Sequence, residues 1–255
     1  MASLSRPIAI LQLFEDGQSV WTVEQISQKL GISASTAYRH VGELVKSGFL
    51  DPVTGAGYAL GPAFIRYDRV LRQSDPLIHV AEPVMRTLLK ITSQNCTVVL
   101  CRRFKDCVMS VHEIRGAAAR GHTSYERGVA RPMFLGATSK VILAHLPTRT
   151  LRSIYLSNEK AIRPSLKTGG WKEFNRHLRE IRQQGFSLTE SEVAKRRLGL
   201  AAPIMRNGQV IGSLSLIADS NGLDKKTFSG FVTHVVEAAA HISRSLTRES
   251  PVVPR

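Results

Sequence analysis

Three absences bound this chain before any motif is read. Only three cysteines occur in 255 residues. Cys96, Cys101 and Cys107 form no CxxC pair and have no paired histidine spacing beside them, so neither a disulfide framework nor a structural zinc is expected, and the thiols read as reduced and mostly buried. No apolar run approaches the ~18 residues of a membrane span, so no membrane partner is expected. The N-terminus offers Arg6 and a short apolar run through Leu13 before Glu15 and Asp16, which predicts no secretory signal and a cytoplasmic protein. The sequence also lacks HExxH, GxSxG and Walker signatures, and its eight histidines do not pair at metal spacing. No enzyme, metal or cofactor is expected on these grounds, although a triad assembled across the fold leaves no such trace.

Acidic residues are scarce as well. Lys and Arg number 35 against 20 Asp and Glu, a formal charge of +15. Its placement decides what the excess means. Residues 1–75 hold seven basic and seven acidic side chains, so the surplus lies in residues 76–255, where 28 basic residues face 13 acidic ones. Basic groups raise DNA affinity only near the phosphates, so the charge is weak evidence for nucleic acid. Long-range attraction to DNA, anionic ligands or solubility account for it equally well.

What is present divides into two parts. The length suits one domain of about 70 residues and one of about 180, each able to bury its own core. Ile8, Ala9, Leu11, Leu13 and Phe14 predict a first helix. Thr22 followed by Gln25 is a capping-box signal for a second helix, which begins near Val23 and carries Val23, Ile26 and Leu30 on one face. Gly31 ends it at a position suited to a positive φ. Ser33 or Ala34 then opens a third helix with Ala37, Val41, Leu44 and Val45 inward and Ser35, Thr36, Arg39, Glu43 and Lys46 outward. Two short amphipathic helices around a glycine fit an ordinary core pair as well as a helix-turn-helix. The next stretch favours the second: Phe49-Leu50-Asp51-Pro52, a small-residue turn and Gly57-Tyr58-Ala59-Leu60-Gly61 predict a two-stranded wing. The glycines at 55, 57 and 61 loosely resemble a dinucleotide fingerprint, but the spacing is one residue long and no βαβ unit surrounds them.

The order Ser33-x-Ser35-Thr36-x-Tyr38-Arg39, Leu44, Gly48-Phe49-Leu50 and Gly57-Tyr58-x-Leu60-Gly61 resembles the N-terminal domain of the IclR family of bacterial transcriptional regulators. The resemblance implies that a double-stranded DNA operator is contacted by Thr22, Ser33, Ser35, Thr36, Tyr38, Arg39, His40, Lys46 and Gly55. The helix Ala63–Arg72 and the stretch Gln73-Ser74-Asp75-Pro76 then lead out, placing a winged helix-turn-helix in residues 1–61, a linker helix in 62–76 and a second domain in 77–255.

In the second domain the periodicity predicts an amphipathic helix from Leu77 to Thr92, with Pro83 as a bend or restart. Apolar strands follow at 96–101 and 107–111, then helices at 138–146 and 171–184. Strands at 198–205 and 210–217 flank an Asn207-Gly208 hairpin turn, and one long helix from about Asp224 to Leu246 closes the chain. This is an α+β pattern, an antiparallel sheet with flanking helices. It is similar to the GAF-like, effector-binding and oligomerising domain of the IclR family in Pro132-Met133, Gly136-Ala137-Thr138, Gly185-Phe186, Gly199-Leu200-Ala201-Ala202-Pro203 and Gly212-Ser213-Leu214-Ser215.

That resemblance implies an effector pocket around Ala137, Thr138, Glu190, Gly199, Ser215 and Ile217, to which the residues beside them add Phe134, Gly136, Arg197 and Ser213 as candidates. The residues themselves suit a carboxylate, because amides at a helix N-terminus and the hydroxyls of Thr138 and Ser139 are donors. Ser213 and Ser215 share one strand face and read either as satisfied core groups or as ligand contacts. The sequence departs from the family pattern at Phe134, where a histidine is frequent, at Cys96, where a glutamate is usual, and at Lys195-Arg196-Arg197, where an acidic stretch is common. Phe134 as an aromatic wall and Arg197 as a cation point to an aromatic or other bulky organic acid. The expected function is thus a ligand-responsive regulator of a catabolic operon, a homodimer or homotetramer on a pseudo-palindromic operator. The alternatives are a small-acid enzyme and an effector-free architectural DNA binder.

Overall fold

The computed structural model describes residues 5–55, 57–119, 125–166 and 169–248. The chain divides into two compact units, residues 1–75 and 76–255.

In the first unit, α1 (Arg6–Gln12), α2 (Val23–Leu30) and α3 (Ala34–Lys46) enclose a core of Ile10, Ile26, Ala37, Val41 and Leu44. Gly31 caps α2 with φ 62°, the left-handed conformation in which a Cβ is costly. The wing consists of β2 (Leu50–Val53) and β3 (Gly57–Leu60), as expected, and gains a third strand that the sequence did not announce. That strand, β1 (Trp21–Thr22), is two residues long and pairs with Gly57 and Tyr58. Its brevity hides it from any periodicity. The helix α4 (Ala63–Ser74) is fastened to the wing by Phe49, whose ring meets Phe64 edge-on at 5.5 Å and stacks on Tyr67 at 5.7 Å.

The second unit is built on one antiparallel sheet in the order β6-β5-β4-β9-β8-β7. Its strands are β4 (Cys96–Phe104), β5 (Cys107–Arg115), β6 (Ala130–Pro132), β7 (Ser187–Glu190), β8 (Arg197–Arg206) and β9 (Gln209–Asp219). Strand alternation sorts side chains to two cores. Cys96, Val98, Leu100, Leu198, Leu200, Leu214 and Leu216 join α5 (Pro76–Ile91), α10 (Lys225–Ser229) and α11 (Val232–Arg248) on one face. Val99, Cys101, Ala201 and Ile217 join α6 (Gly136–Leu143), α7 (Thr148–Ser157), α8 (Glu159–Ile162) and α9 (Trp171–Gln184) on the other. Cys96 and Cys101 are buried and Cys107 is partly covered. Burial pushes the Cys96 thiol up to about 12, which keeps it protonated.

Two expectations need correction. Pro83 restarts no helix, since α5 runs through it from Pro76 to Ile91. The single closing helix is two, α10 and α11, parted at Gly230-Phe231. There the Gly230 amide shares its hydrogen between the carbonyls of Lys226 and Thr227, and Phe231 bonds back only three residues, to Phe228. Strands β6 and β7 and helices α7 and α8 were not anticipated from the sequence: β6, β7 and α8 are only three or four residues long, whereas α7 buries Leu151, Ile154 and Tyr155 at helical spacing and its signal was overlooked.

Candidate effector cleft and nucleic-acid interface

Two caps set up the helix-turn-helix. The Thr22 hydroxyl accepts from the Gln25 amide at 3.3 Å while the Gln25 side chain accepts from the Thr22 amide at 3.0 Å, the reciprocal box that opens α2. At α3 the Ser33 hydroxyl accepts from the Thr36 amide at 3.2 Å and donates to the Thr36 hydroxyl at 2.8 Å. Ser33 and Thr36 thus serve the start of the helix first. The open side of α3 carries Ser35, Tyr38, Arg39 and Lys46, and Tyr38 is 67% exposed. A large aromatic left so exposed beside an arginine does no packing work in its own unit. His40 turns along the helix to Glu43, with Nδ1 and Oε2 3.0 Å apart. Gly55 lies in the exposed turn of the wing.

In the second unit α6 is buried on nearly every side, with seven of its eight residues covered, so it cannot be a surface helix with one apolar stripe. It lies close to the sheet because the strands beneath it present small side chains there: Gly199, Ala201, Ser213 and Ser215. Thr138 Oγ1 donates to Ser215 Oγ at 2.9 Å, and Ser213 Oγ donates to the Thr138 carbonyl at 3.2 Å. Both serines thus fasten α6 to the sheet, which is the core one of the two readings the sequence left open for them.

A cleft opens at the N-terminal end of α6. Six of the expected effector residues line it, namely Gly136, Ala137, Thr138, Arg197, Gly199 and Ile217. Four do not. Phe134 is partly buried and packs on the core that α6 shares with the sheet. Ser213 and Ser215 lie under the helix. Glu190 points the other way, its carboxylate 2.9 Å from Lys225 Nζ. The reason is strand parity: Glu190 pairs with Leu198, which faces the opposite core, whereas Thr189 pairs with Gly199 and faces the cleft.

The rest of the lining was missed. Tyr125, from the connection after β5, is buried against the cleft and donates to the Leu135 carbonyl at 3.2 Å, with Ser139 Oγ 3.3 Å away. Burial raises its phenol to about 12, so it remains a neutral donor. Val193 and Glu192 come from the β7–β8 connection. Thr189 and Glu192 flank Glu190 in the sequence, but it took the register of β7 on β8 to show which of these residues face the cleft. Tyr125 had no periodic signal to mark it.

Electrostatics concentrate at the start of α6. The Gly136 amide donates to Glu192 Oε2 at 3.1 Å, the Ala137 amide donates to Thr189 Oγ1 at 3.2 Å, and Lys140 Nζ lies 2.7 Å from the Glu192 carboxylate. Arg197 lies 3.8 Å from Asp219. Gly136 is required twice over: its φ is +77°, and a Cβ there would stand 2.5 Å from Val193 Cγ2 and 2.8 Å from the Tyr125 hydroxyl. The cleft's donors suit an anion. Among the described residues no three His, Cys, Asp or Glu side chains gather to hold a metal.

Comparison with known proteins accounts for both units. Residues 70–244 match the description "Bacterial transcriptional regulator IclR C-terminal" and residues 3–53 match "IclR helix-turn-helix domain". The chain belongs to the IclR family. It is a transcriptional regulator with a DNA-binding helix-turn-helix and an effector-binding domain. Among IclR-family relatives, the HTH-type transcriptional regulator KipR of Bacillus subtilis is 25% identical over 246 residues, covering 94% of this chain and 95% of KipR. An IclR regulator from Alicyclobacillus acidocaldarius shares the fold with a TM-score of 0.76 at 21% identity, over 94% of this chain and 96% of that one. An IclR homologue from Microbacterium hydrocarbonoxydans, solved in complex with 4-hydroxybenzoate, gives 0.73 at 21% identity over 96% and 98% of the two chains. The relatives are named as regulators rather than enzymes, and no helix among the described residues is long and apolar enough to cross a membrane.

Proposed function

We propose that this IclR-family chain is a ligand-gated regulator of a catabolic operon that acts in the cytoplasm, with a small organic acid, preferably aromatic, as its effector. The observation that carries the reading is the cleft at α6. Backbone amides at a buried helix N-terminus, with Lys140 and Arg197 near the mouth and Tyr125 and Ile217 as apolar walls, suit a carboxylate on a ring. The 4-hydroxybenzoate complex of the Microbacterium homologue supports the same ligand class. In this reading Tyr125 supplies the aromatic wall first assigned to Phe134.

The DNA side of the proposal rests on α3. Ser35, Tyr38, Arg39 and Lys46 enter a major groove, Thr22, Ser33 and Thr36 offer capped helix ends to phosphates, and the wing turn at Gly55 reaches the flanking backbone. His40 acts through its contact with Glu43. Residues 62–76 connect the units. Two recognition helices on a pseudo-palindromic site require at least a homodimer. Supporting that, Ile65, Tyr67, Val70 and Leu71 of α4 are each at least half exposed, on more than one side of the helix. A second copy would cover them. Nothing in the cleft favours an enzyme, and an architectural protein would need no cleft.

The test is fluorescence anisotropy with the fragment upstream of the protein's own gene against a scrambled fragment, at two salt concentrations, with a panel of aromatic and aliphatic acids. The expected result is a preference of at least about 10³-fold for the native fragment, altered by one acid. Equal, steeply salt-dependent binding to both fragments, unaffected by any acid, overturns the reading.

A further inference from the structure

The free space in the cleft is about 20 Å³, room for roughly one water molecule. No ring acid enters it without a movement of its walls. The sheet and α6 are the least able to move, because Ser213, Ser215 and Thr138 lock them together below the surface. The remaining wall is the connection between β7 and β8. Its base is pinned: the Ser191 amide donates to the Arg197 carbonyl at 2.8 Å, and the Ser220 amide to the Arg196 carbonyl at 2.9 Å. Ser191 and Arg196, which bracket it, both hold positive φ, 56° and 61°, a conformation that non-glycine residues adopt at a cost. The tip between them, Glu192 to Lys195, meets α6 through the Glu192 carboxylate and the Val193 side chain.

We infer that this tip is a gate, latched by Glu192 on the Gly136 amide and Lys140, and that an incoming carboxylate opens it by replacing the Glu192 carboxylate on those groups. The inference rests on the effector reading of the cleft and adds its regulation. Glu192 occupies the donors that a ligand carboxylate needs, so binding is an exchange of one carboxylate for another. Acids must then compete with an internal group at high effective concentration, and apparent affinity falls by the fraction of time the latch is closed. Freed, Glu192 and Val193 leave the cleft together, which supplies both the space and the charge for the ligand. The displaced tip carries the occupancy of the cleft to the surface, beside Lys195 and Arg196.

The test uses the full chain and E192A, with 4-hydroxybenzoate and its uncharged relative 4-hydroxybenzamide as probes. Hydrogen–deuterium exchange of the peptides spanning 136–140 and 190–197 reads the latch, and calorimetry reads affinity. Without a probe, both peptides are expected to exchange about tenfold faster in E192A. E192A is expected to bind the acid about tenfold more tightly than the parent, the amide is expected to bind the parent more weakly than the acid because it brings no carboxylate to replace that of Glu192, and saturating acid is expected to loosen residues 190–197 in the parent. A K140M variant cuts the same latch from the other side, so it loosens the peptides without the gain in affinity. Equal exchange of the parent and E192A without a probe overturns the gate whatever binds, as does equal affinity of the two for the acid. If neither binds the acid yet E192A exchanges faster, the gate stands and the aromatic-acid reading falls.

Discussion

At the scale of single residues, the proposal for α3 turns on Arg39, exposed on the open side of a helix whose other side is core. Arg39→Ala is expected to cost about 1–3 kcal/mol of operator discrimination while leaving binding to scrambled DNA nearly unchanged, measured by anisotropy on both fragments. Gly136 is the corresponding residue of the cleft. Gly136→Ala forces a Cβ against Val193 and the Tyr125 hydroxyl in a backbone conformation that disfavours it, so it is expected to destabilise the second unit by about 1–3 kcal/mol in urea unfolding and to weaken acid binding. The difference between Glu190 and Thr189 belongs to this scale too. Both were near the site along the chain, and only the register of β7 on β8 chose between them.

At the scale of elements, capping and aromatic contacts hold the first unit together. Phe49 joins the wing to α4 through two ring contacts, and Phe49→Ala is expected to lower the stability of that unit by about 2–3 kcal/mol, seen as a lower midpoint in thermal unfolding. In the second unit His145, just after α6, has its imidazole pKa lowered by burial, with the Arg182 charge adding to the shift and a hydrogen bond to the Val141 carbonyl opposing it. Its folded value lies below the ordinary 6.5, so the unfolded chain takes up the proton first. The stability it contributes is whole above about pH 6.5 and is lost as pH falls from there toward the folded value. Urea midpoints of the second unit are expected to drop between about pH 7.5 and 5.5, and less so in His145→Gln. Long periodic elements such as α5, α9 and the β8–β9 hairpin were legible because burial imposes their repeat over many residues. β1, β6 and α8 were not, because two to four residues carry no period and their existence depends on what pairs or packs beside them.

For the whole molecule, charge and assembly are what experiment can vary directly. Of the roles open to the basic surplus of residues 76–255, long-range attraction to DNA is the one that salt tests directly. Raising salt is expected to reduce the association rate more than the dissociation rate, read by stopped-flow. The apolar residues left exposed on α4 bear on assembly. Ile65→Glu, at a residue 76% exposed, is expected to shift the protein toward monomer in sedimentation velocity and to lower operator affinity, with little loss of monomer stability. An unchanged sedimentation coefficient would remove α4 from the proposed interface.

The sequence by itself determined the two-part division, the caps and turn of the helix-turn-helix, the long helices and central strands of the second unit and its family, because these rest on local spacing and on motifs contiguous in the chain. Tertiary structure alone decided which side chains meet at the start of α6. Tyr125 arrives from one connection and Glu192 from another, far apart in sequence, and strand parity turned Ser213 and Ser215 under the helix and Glu190 away from it. A cleft is made by non-local packing. Its walls therefore obey the register of the sheet and the filling of the space beside it, neither of which has a signature in the chain.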